Sequence, residues 1–170
     1  MKIAAFGLAS AAAIALLVSQ PVLGTASAAD SGGMYRSVTG AQVVEILREV
    51  GFDASLDTDN EGDPMIEGRI EGQPYQIYFY RCNKNMEPRS CLDLQFHSTF
   101  AKGNTGFDAL NRYNRDNRFG QAFFDKNGRI GLDMSATLGG GVTRQHIKEV
   151  IDWWKVTLNG FPEKVQAGGE

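Results

Sequence analysis

Alternation of apolar and polar residues between positions 52 and 97 is the feature that most constrains the fold. Apolar residues recur at every second position in segments 52–56, 75–79 and 92–96, which is the period of strands with one buried face. Segment 65–70 adds a further strand, so the pattern predicts a meander of three or four antiparallel strands. Strands that follow one another without intervening helices are typical of α+β folds.

Helix signals stand on both sides of this strand-rich region. Thr39 and Gln42 form a capping-box pattern before an amphipathic stretch that Gly51 ends. A second helix is predicted over residues 107–117 with Thr105 as its cap.

A hairpin and a last helix follow. Asn127-Gly128 supplies the positive φ angles of a tight hairpin turn. The last helix is predicted to start at Thr143 and to end at Gly160 and Pro162, because these two residue types stop helices.

The predicted fold class is therefore α+β. We expect a mainly antiparallel sheet of five or six strands with three helices, in the order α-β-β-β(-β)-α-β-β-α. The compact domain is predicted over residues 36–161, after a flexible leader at 30–35 and before a polar tail at 162–170.

The N-terminal segment has the pattern of a secretory signal peptide. Lys2 precedes an apolar stretch over residues 3–18, and small residues lead to a cleavage site near Ala28 or Ala29. The apolar stretch is shorter than the roughly 20 residues that a membrane span needs. We expect residues 1–29 to be removed, leaving a periplasmic or secreted protein that is not inserted in the membrane.

The net charge of the chain narrows the classes of partner that it is expected to bind. The formal net charge is −3, and cleavage would remove Lys2 and leave the mature protein more acidic still. An acidic protein has no general electrostatic attraction to nucleic acid or to anionic lipid. We therefore expect no nucleic-acid partner.

The two cysteines, Cys82 and Cys91, are predicted to form a disulfide bond. An exported chain meets oxidising conditions in which a cysteine pair is normally bonded. Their spacing matches no zinc pattern, and His97 and His146 are scattered. We accordingly predict no metal site and no cofactor.

Three stretches of the chain resemble the YbjN family. The first is an Asn-x-x-Asn-x-x-x-Arg-Phe core that starts at Asn111, the second is the hairpin with Asp125 and Gly128, and the third is Gly-Gly-Val-Thr from Gly140. The resemblance spans most of residues 36–161. It implies a fold similar to that of type III secretion chaperones, a sensory-transduction context and a role in binding other proteins.

The glycine-rich stretch before the last helix is one candidate site. Gly140, Gly141, Thr143 and Arg144 lie at a helix N-terminus, where free amides attract anions. The alternative is a structural turn that uses only the backbone freedom of glycine.

A second candidate site is a partner-binding surface. Arg112, Arg115 and Arg118 recur every three residues, which predicts a basic edge along a helix. This edge is either a solvated face or a contact for a partner. Trp153 lies off the apolar stripe that contains Trp154, so it either flanks the core or anchors a partner.

Residue patterns for catalysis and for calcium binding are incomplete. Asp93 and His97 share a face of one predicted strand while Ser98 points to the other face. The stretch from Asp57 to Gly62 resembles the start of a calcium loop but lacks the closing Glu. We expect neither enzymatic activity nor calcium binding.

The sequence thus predicts an exported protein-interaction or chaperone-like module of the YbjN type, with a regulatory role. Its protein partner is not identified, and a homodimer stays open if the sheet leaves an apolar patch. The alternative function is periplasmic binding of a small anionic ligand at the glycine-rich start of the last helix. A third possible function is that of a hydrolase whose catalytic motif is not recognisable in the sequence.

Overall fold

The computed structural model describes residues 33–166, which form three helices and eight strands. The predicted signal peptide, most of the predicted leader and residues 167–170 lie outside the described residues. The helices are α1 (Gly40–Glu49), α2 (Phe107–Asp116) and α3 (Arg144–Gln166). The strands are β1 (Val38–Thr39), β2 (Ser55–Thr58), β3 (Pro64–Ile70), β4 (Gln73–Tyr80), β5 (Ser90–Cys91), β6 (Asp93–Phe100), β7 (Gln121–Phe124) and β8 (Ile130–Thr137).

Six strands form one antiparallel sheet in the order β2-β3-β4-β6-β8-β7. Strands β1 and β5 pair separately. The meander thus continues through the β7–β8 hairpin, which joins the sheet by pairing β8 with β6. This arrangement confirms the predicted α+β class. Within residues 33–166, no helix is both long and apolar enough to cross a membrane.

Helix α1 begins at the predicted capping box. The Thr39 hydroxyl accepts from the backbone N–H of Gln42, and the Gln42 side chain accepts from the backbone N–H of Thr39. Gly51 follows the helix with a φ of 84°, which a residue with a side chain rarely adopts. Local sequence alone therefore determines both ends of α1.

One face of the sheet carries the hydrophobic core. We define the covered row as four residues that lie opposite one another on neighbouring strands: Ile66, Ile77, Phe96 and Met134. Helix α3 lies over this row, with the ring of Trp154 centred 5.7 Å from that of Phe96. Helix α1 packs against β2, β3 and α3, and α2 packs against β7 and α3.

Helix α3 continues past its predicted end. The prediction that Gly160 and Pro162 stop it is wrong, as is the assignment of residues 162–166 to a polar tail, because the helix runs to Gln166. A proline inside a helix costs about 3 kcal/mol. Burial of Phe161 and Val165 offsets that cost, since both are at most 4 % exposed and the Phe161 ring lies 4.8 Å from that of Phe100.

Helix α2 begins at Phe107 as predicted, but its cap and its last residue differ from the prediction. The N-cap is Gly106, which makes no side-chain capping bond, so the prediction of Thr105 is wrong. The helix ends at Asp116, and Asn117 is already extended (φ −116°, ψ 130°). Arg118 consequently lies beyond the helix, so the three arginines do not all belong to one helix.

A disulfide joins Cys82 and Cys91, as predicted. Cys91 belongs to β5, which pairs with β1 directly before α1. Arg89 also ties the bridged loop to the β2–β3 turn, because its guanidinium lies 2.7 Å from the Asp63 carboxylate and both side chains are mostly buried. The loop is thus held to the domain at several points.

Candidate functional site

The sheet face opposite the helices carries a row of polar side chains. Glu67, Gln76, His97 and Asp133 lie opposite one another on β3, β4, β6 and β8, and we define these four residues as the polar row. Each stands one position along its strand from a member of the covered row. Successive side chains of a strand point to opposite faces, which places the two rows on opposite sides of the sheet.

Asp133 holds His97 in place. Its carboxylate oxygens lie 2.5 Å from His97 Nδ1 and 2.7 Å from the donating Nε2 of Gln95. The Gln95 amide oxygen in turn accepts from the Tyr80 hydroxyl at 2.8 Å. The side chains of His97 and Asp133 are only about one-fifth exposed. With Nδ1 bound to Asp133, Nε2 is the ring nitrogen left for a ligand.

The other half of the polar row is also connected. The Tyr78 hydroxyl donates to Gln76 Oε1 at 3.0 Å, and Gln76 Nε2 donates to the Glu67 carboxylate at 2.9 Å. Burial, followed by the proximity of Tyr80 and then Glu67, raises the pKa of Tyr78. These hydrogen bonds hold the side chains of Tyr78, Gln76 and Glu67 in place without a ligand.

A pocket of about 810 Å³ opens beside His97. It is bounded by the segment around β2 and by β3, β4 and β6, and its lining includes charged side chains of both signs. The charged and polar side chains that line it include Arg48, Asp53, Glu67, Arg69, Gln76, His97 and Thr99. A volume of this size is typical of sites for small molecules.

One wall of the pocket depends on the absence of a side chain at Gly68. The Asp53 carbonyl oxygen occupies the place that a Cβ at Gly68 would take, and the Tyr75 hydroxyl lies 2.7 Å from that place. This hydroxyl donates to the same carbonyl at 2.8 Å, and burial raises the pKa of Tyr75. Close packing therefore fixes the segment around Asp53 against β3.

Sequence reasoning singled out His97 but gave it no partner. Ser98 faces the helices, as predicted, and its hydroxyl donates to the Pro74 carbonyl at 2.7 Å. Asp93 shares the face of His97 but pairs with Arg81, whose hydrogen bond lowers the pKa of Asp93. The carboxylate that binds His97 is Asp133, 36 residues further along the chain.

The glycine-rich stretch forms a turn into α3. Gly140 and Gly141 both have positive φ angles, and Thr143 accepts from the backbone N–H of His146. The Arg144 guanidinium turns to α1, where it pairs with Glu45 at 2.8 Å and with Glu49. The anion site stays a prediction, but its arginine already has carboxylate partners.

The predicted basic surface is divided. Arg112 and Arg115 belong to α2, and Arg115 pairs with Asp116 at 2.7 Å. Arg118 instead lies over the Phe119 ring, 5.2 Å from its centre. The Phe119 ring stacks on Trp153 with 4.8 Å between centres and 13° between planes.

The two tryptophans of α3 differ sharply in environment. Trp154 is fully buried, whereas Trp153 is 39 % exposed and Val156, three residues on, is 69 % exposed. We define the α3 ridge as Phe119, Trp153 and Val156. Trp153 and Val156 are exposed in this ridge, and the partly buried Phe119 supports Trp153 beside Arg118.

The acidic β2–β3 turn is held by its own hydrogen bonds. Asp59 Oδ1 accepts from the backbone N–H groups of Glu61 and Asp63, both at 2.9 Å. In the part of the chain that the structure describes, no group of three His, Cys, Asp or Glu residues is arranged to hold a metal ion. That calcium does not bind stays a prediction.

At both edges of the sheet, side chains form hydrogen bonds with backbone groups that a further strand could otherwise use. At β7, the Asn114 amide donates to the Ala122 carbonyl at 2.9 Å and accepts from its N–H at 2.8 Å. Near β2, Arg48 donates to the Ala54 carbonyl, and the N–H of Thr58 donates to Asp57. A partner strand would have to displace these bonds, so the faces of the molecule are better candidates for binding than its edges.

Comparison with known families decides the classification. Residues 39–167 match the YbjN family, described as "Putative bacterial sensory transduction regulator". The chain belongs to the YbjN family. None of the curated proteins compared with this YbjN chain matches it.

The YbjN-like core that starts at Asn111 has structural roles. Asn114 caps β7, and Phe119 supports Trp153. Gly120 has a φ of 82°, and a Cβ there would lie 2.6 Å from the Thr157 methyl group. In this YbjN protein the motif thus joins α2, β7 and α3, and the polar row lies outside it.

Proposed function

We propose that this chain is an exported, non-enzymatic protein-interaction module of the YbjN type. Membership of the family supports a regulatory or interaction role in general. The observation that carries the specific proposal is the exposure of Trp153. Large aromatic side chains that stay exposed beside apolar neighbours are typical anchors of protein interfaces.

The α3 ridge has the composition of a binding surface. Trp153 is held flat by its stack on Phe119, so little side-chain entropy is lost when a partner covers it. Arg118 lies at the rim of this ridge, where arginine is common in interfaces. The exposed Val156 extends the apolar surface by one helical turn.

Export is supported by the N-terminal pattern of Lys2, an apolar stretch and small residues. The Cys82–Cys91 disulfide suits an oxidising compartment. A non-enzymatic role is supported by the surroundings of His97, because the hydroxyl of neighbouring Ser98 is directed to the opposite face of the sheet.

Affinity capture from periplasm tests the interaction. The tagged protein is captured with and without Trp153→Ala, and the co-purified proteins are quantified by mass spectrometry. We expect Trp153→Ala to reduce a specific partner by tenfold or more, since truncating an interface aromatic costs about 2 kcal/mol or more in affinity. Mass measurement of the mature protein tests cleavage near Ala28 or Ala29.

A matched control is Phe107→Ala, because Phe107 is also an exposed aromatic (72 %) but lies on α2, outside the ridge. It should leave capture unchanged. Equal capture by the Trp153→Ala variant and the unmodified protein would refute the ridge as the binding surface. Recovery of the full-length, uncleaved chain from cytoplasm alone would refute export.

A further inference from the structure

Two arginines line the pocket beside the polar row without forming an ion pair. Among residues 33–166, ion pairs are made by other arginines: Arg81, Arg89, Arg115, Arg129 and Arg144. Arg48 donates to the Ala54 carbonyl and Arg69 to the Gly72 carbonyl, at 2.9 and 2.8 Å. Each guanidinium has five N–H donors, so both retain donors for a carboxylate.

Two carboxylates line the same pocket. Glu67 accepts from Gln76, and the side chain of Asp53 makes no ion pair with the arginines around it. The pocket therefore carries two positive and two negative side chains that do not neutralise one another by contact. A ligand of a single charge would meet repulsion as well as attraction there, whereas a ligand with both charges is complementary to the lining.

Strand β3 places two opposite charges side by side on one face. Glu67 and Arg69 stand two residues apart on one face of the strand, a separation of about 6.6 Å along the backbone. A group that fits between them needs its own carboxylate and ammonium close together. The two charged groups of an α-amino acid flank a single carbon atom, which matches this requirement.

We propose that the pocket binds a free α-amino acid. The carboxylate of the ligand binds Arg69, and its ammonium group binds Glu67. Arg48 and Asp53 line the wall of the pocket near β2. The side chain of the ligand lies over the floor, where His97 Nε2 and the Thr99 hydroxyl offer hydrogen bonds.

Rigidity supports this assignment. Asp133, which accepts a hydrogen bond from Gln95, fixes His97, and Gln76 fixes Glu67. The segment around Asp53 is fixed by the hydroxyl of Tyr75. A ligand would therefore bind without ordering these groups first, which lowers the entropic cost of binding.

Thermal unfolding with the twenty protein amino acids as probes tests the proposal, followed by calorimetry on any that bind. We expect at least one to raise Tm by about 3 °C or more at roughly tenfold its dissociation constant. The N-acetyl derivative of that amino acid lacks the ammonium charge, and its amide lacks the carboxylate. Both derivatives should bind at least tenfold more weakly.

Variants locate the site. Arg69→Gln and Glu67→Gln should each weaken binding about tenfold or more, since a hydrogen bond to a charged group is worth about 1.5 to 3 kcal/mol. Arg115→Gln, which removes an arginine outside the pocket, and Trp153→Ala on the α3 ridge should leave binding unchanged. Unchanged amino-acid binding by the Trp153→Ala variant would show that the pocket is a different site from the α3 ridge of the proposed protein interaction.

Three outcomes would overturn the proposal. The first is no binding of any amino acid at millimolar concentration. The second is equal affinity for the free amino acid and its two derivatives, and the third is unchanged binding by a folded Arg69→Gln variant. Far-UV circular dichroism establishes that each variant is folded.

Discussion

The covered row and the polar row occupy adjacent positions of the same strands, yet they differ in what they contribute. In the covered row, Ile66, Ile77 and Phe96 are fully buried beneath the helices. In the polar row, His97 and Asp133 keep about one-fifth of their surface exposed and bind each other. The first row stabilises the fold through apolar burial, while the second is held together by hydrogen bonds among its own polar side chains.

The largest effect is expected where α3 meets the covered row. Trp154→Ala should lower the free energy of unfolding by about 3 to 5 kcal/mol, because it empties a large site in the core. Trp153→Ala should change it by less than about 1 kcal/mol. Urea unfolding followed by circular dichroism measures both. Equal losses would show that both tryptophans belong to the core.

Removing the disulfide should have a smaller effect and should leave both rows intact. Replacing Cys82 and Cys91 with serine restores entropy to the unfolded chain, and a loop of ten residues corresponds to about 2.7 kcal/mol. Thermal unfolding of the oxidised protein and of the double variant gives the difference. Coincident curves would remove the structural role of the bond, and the β1–β5 pairing and the Arg89–Asp63 pair would then hold the loop.

Gly68→Ala tests how tightly the chain is packed at β3, between the covered face and the polar face of the sheet. The added methyl group would meet the Asp53 carbonyl and the Tyr75 hydroxyl, and such overpacking typically costs about 1 to 3 kcal/mol. Gly72→Ala is not a suitable control, because its φ of 89° adds backbone strain. Gly33→Ala is the control, since a Cβ there meets nothing within 4 Å and Gly33 precedes the first strand, and it should leave stability nearly unchanged.

The smallest effect concerns a carboxylate on the polar face. Hydrogen bonding to Arg81 lowers the pKa of Asp93 in the folded protein, so this pair stabilises the fold above the ordinary pKa of about 3.9. The contribution is lost as pH falls through the lower folded-state value. Arg81→Gln should therefore destabilise the protein only slightly at pH 7 and almost not at all in strong acid. A gap that widens on acidification would contradict this origin.

Local patterns predicted much of the fold. The capping box at Thr39, the hairpin at Asn127-Gly128 and the period-two strands need only neighbouring residues to be recognised, and all three appear in the structure. In the hairpin turn, however, only Gly128 has a positive φ, and Asn127 does not. The end of α3 escaped prediction because contacts between distant residues decide it. Phe161 packs against Phe100, and no local rule weighs that burial against a proline.

The candidate sites could be predicted only in part. Exposure of Trp153 follows from its position relative to the apolar stripe of α3, so helical periodicity was sufficient. The polar row was missed because it depends on the register of four strands. Period-two alternation does place His97 on the face opposite the core, but the pairing of β6 with β8 is needed to bring Asp133 beside it.

Asn114 and the side chains near β2 have a consequence for behaviour at high concentration. A sheet with free edge strands offers a template on which other chains add, which is the route to fibrils. Here the amide of Asn114 takes the place of a further strand at β7. The addition of another chain as a further strand at β7 is thereby discouraged. Side chains elsewhere on the surface can therefore change without creating a free edge strand on which copies of the chain could associate.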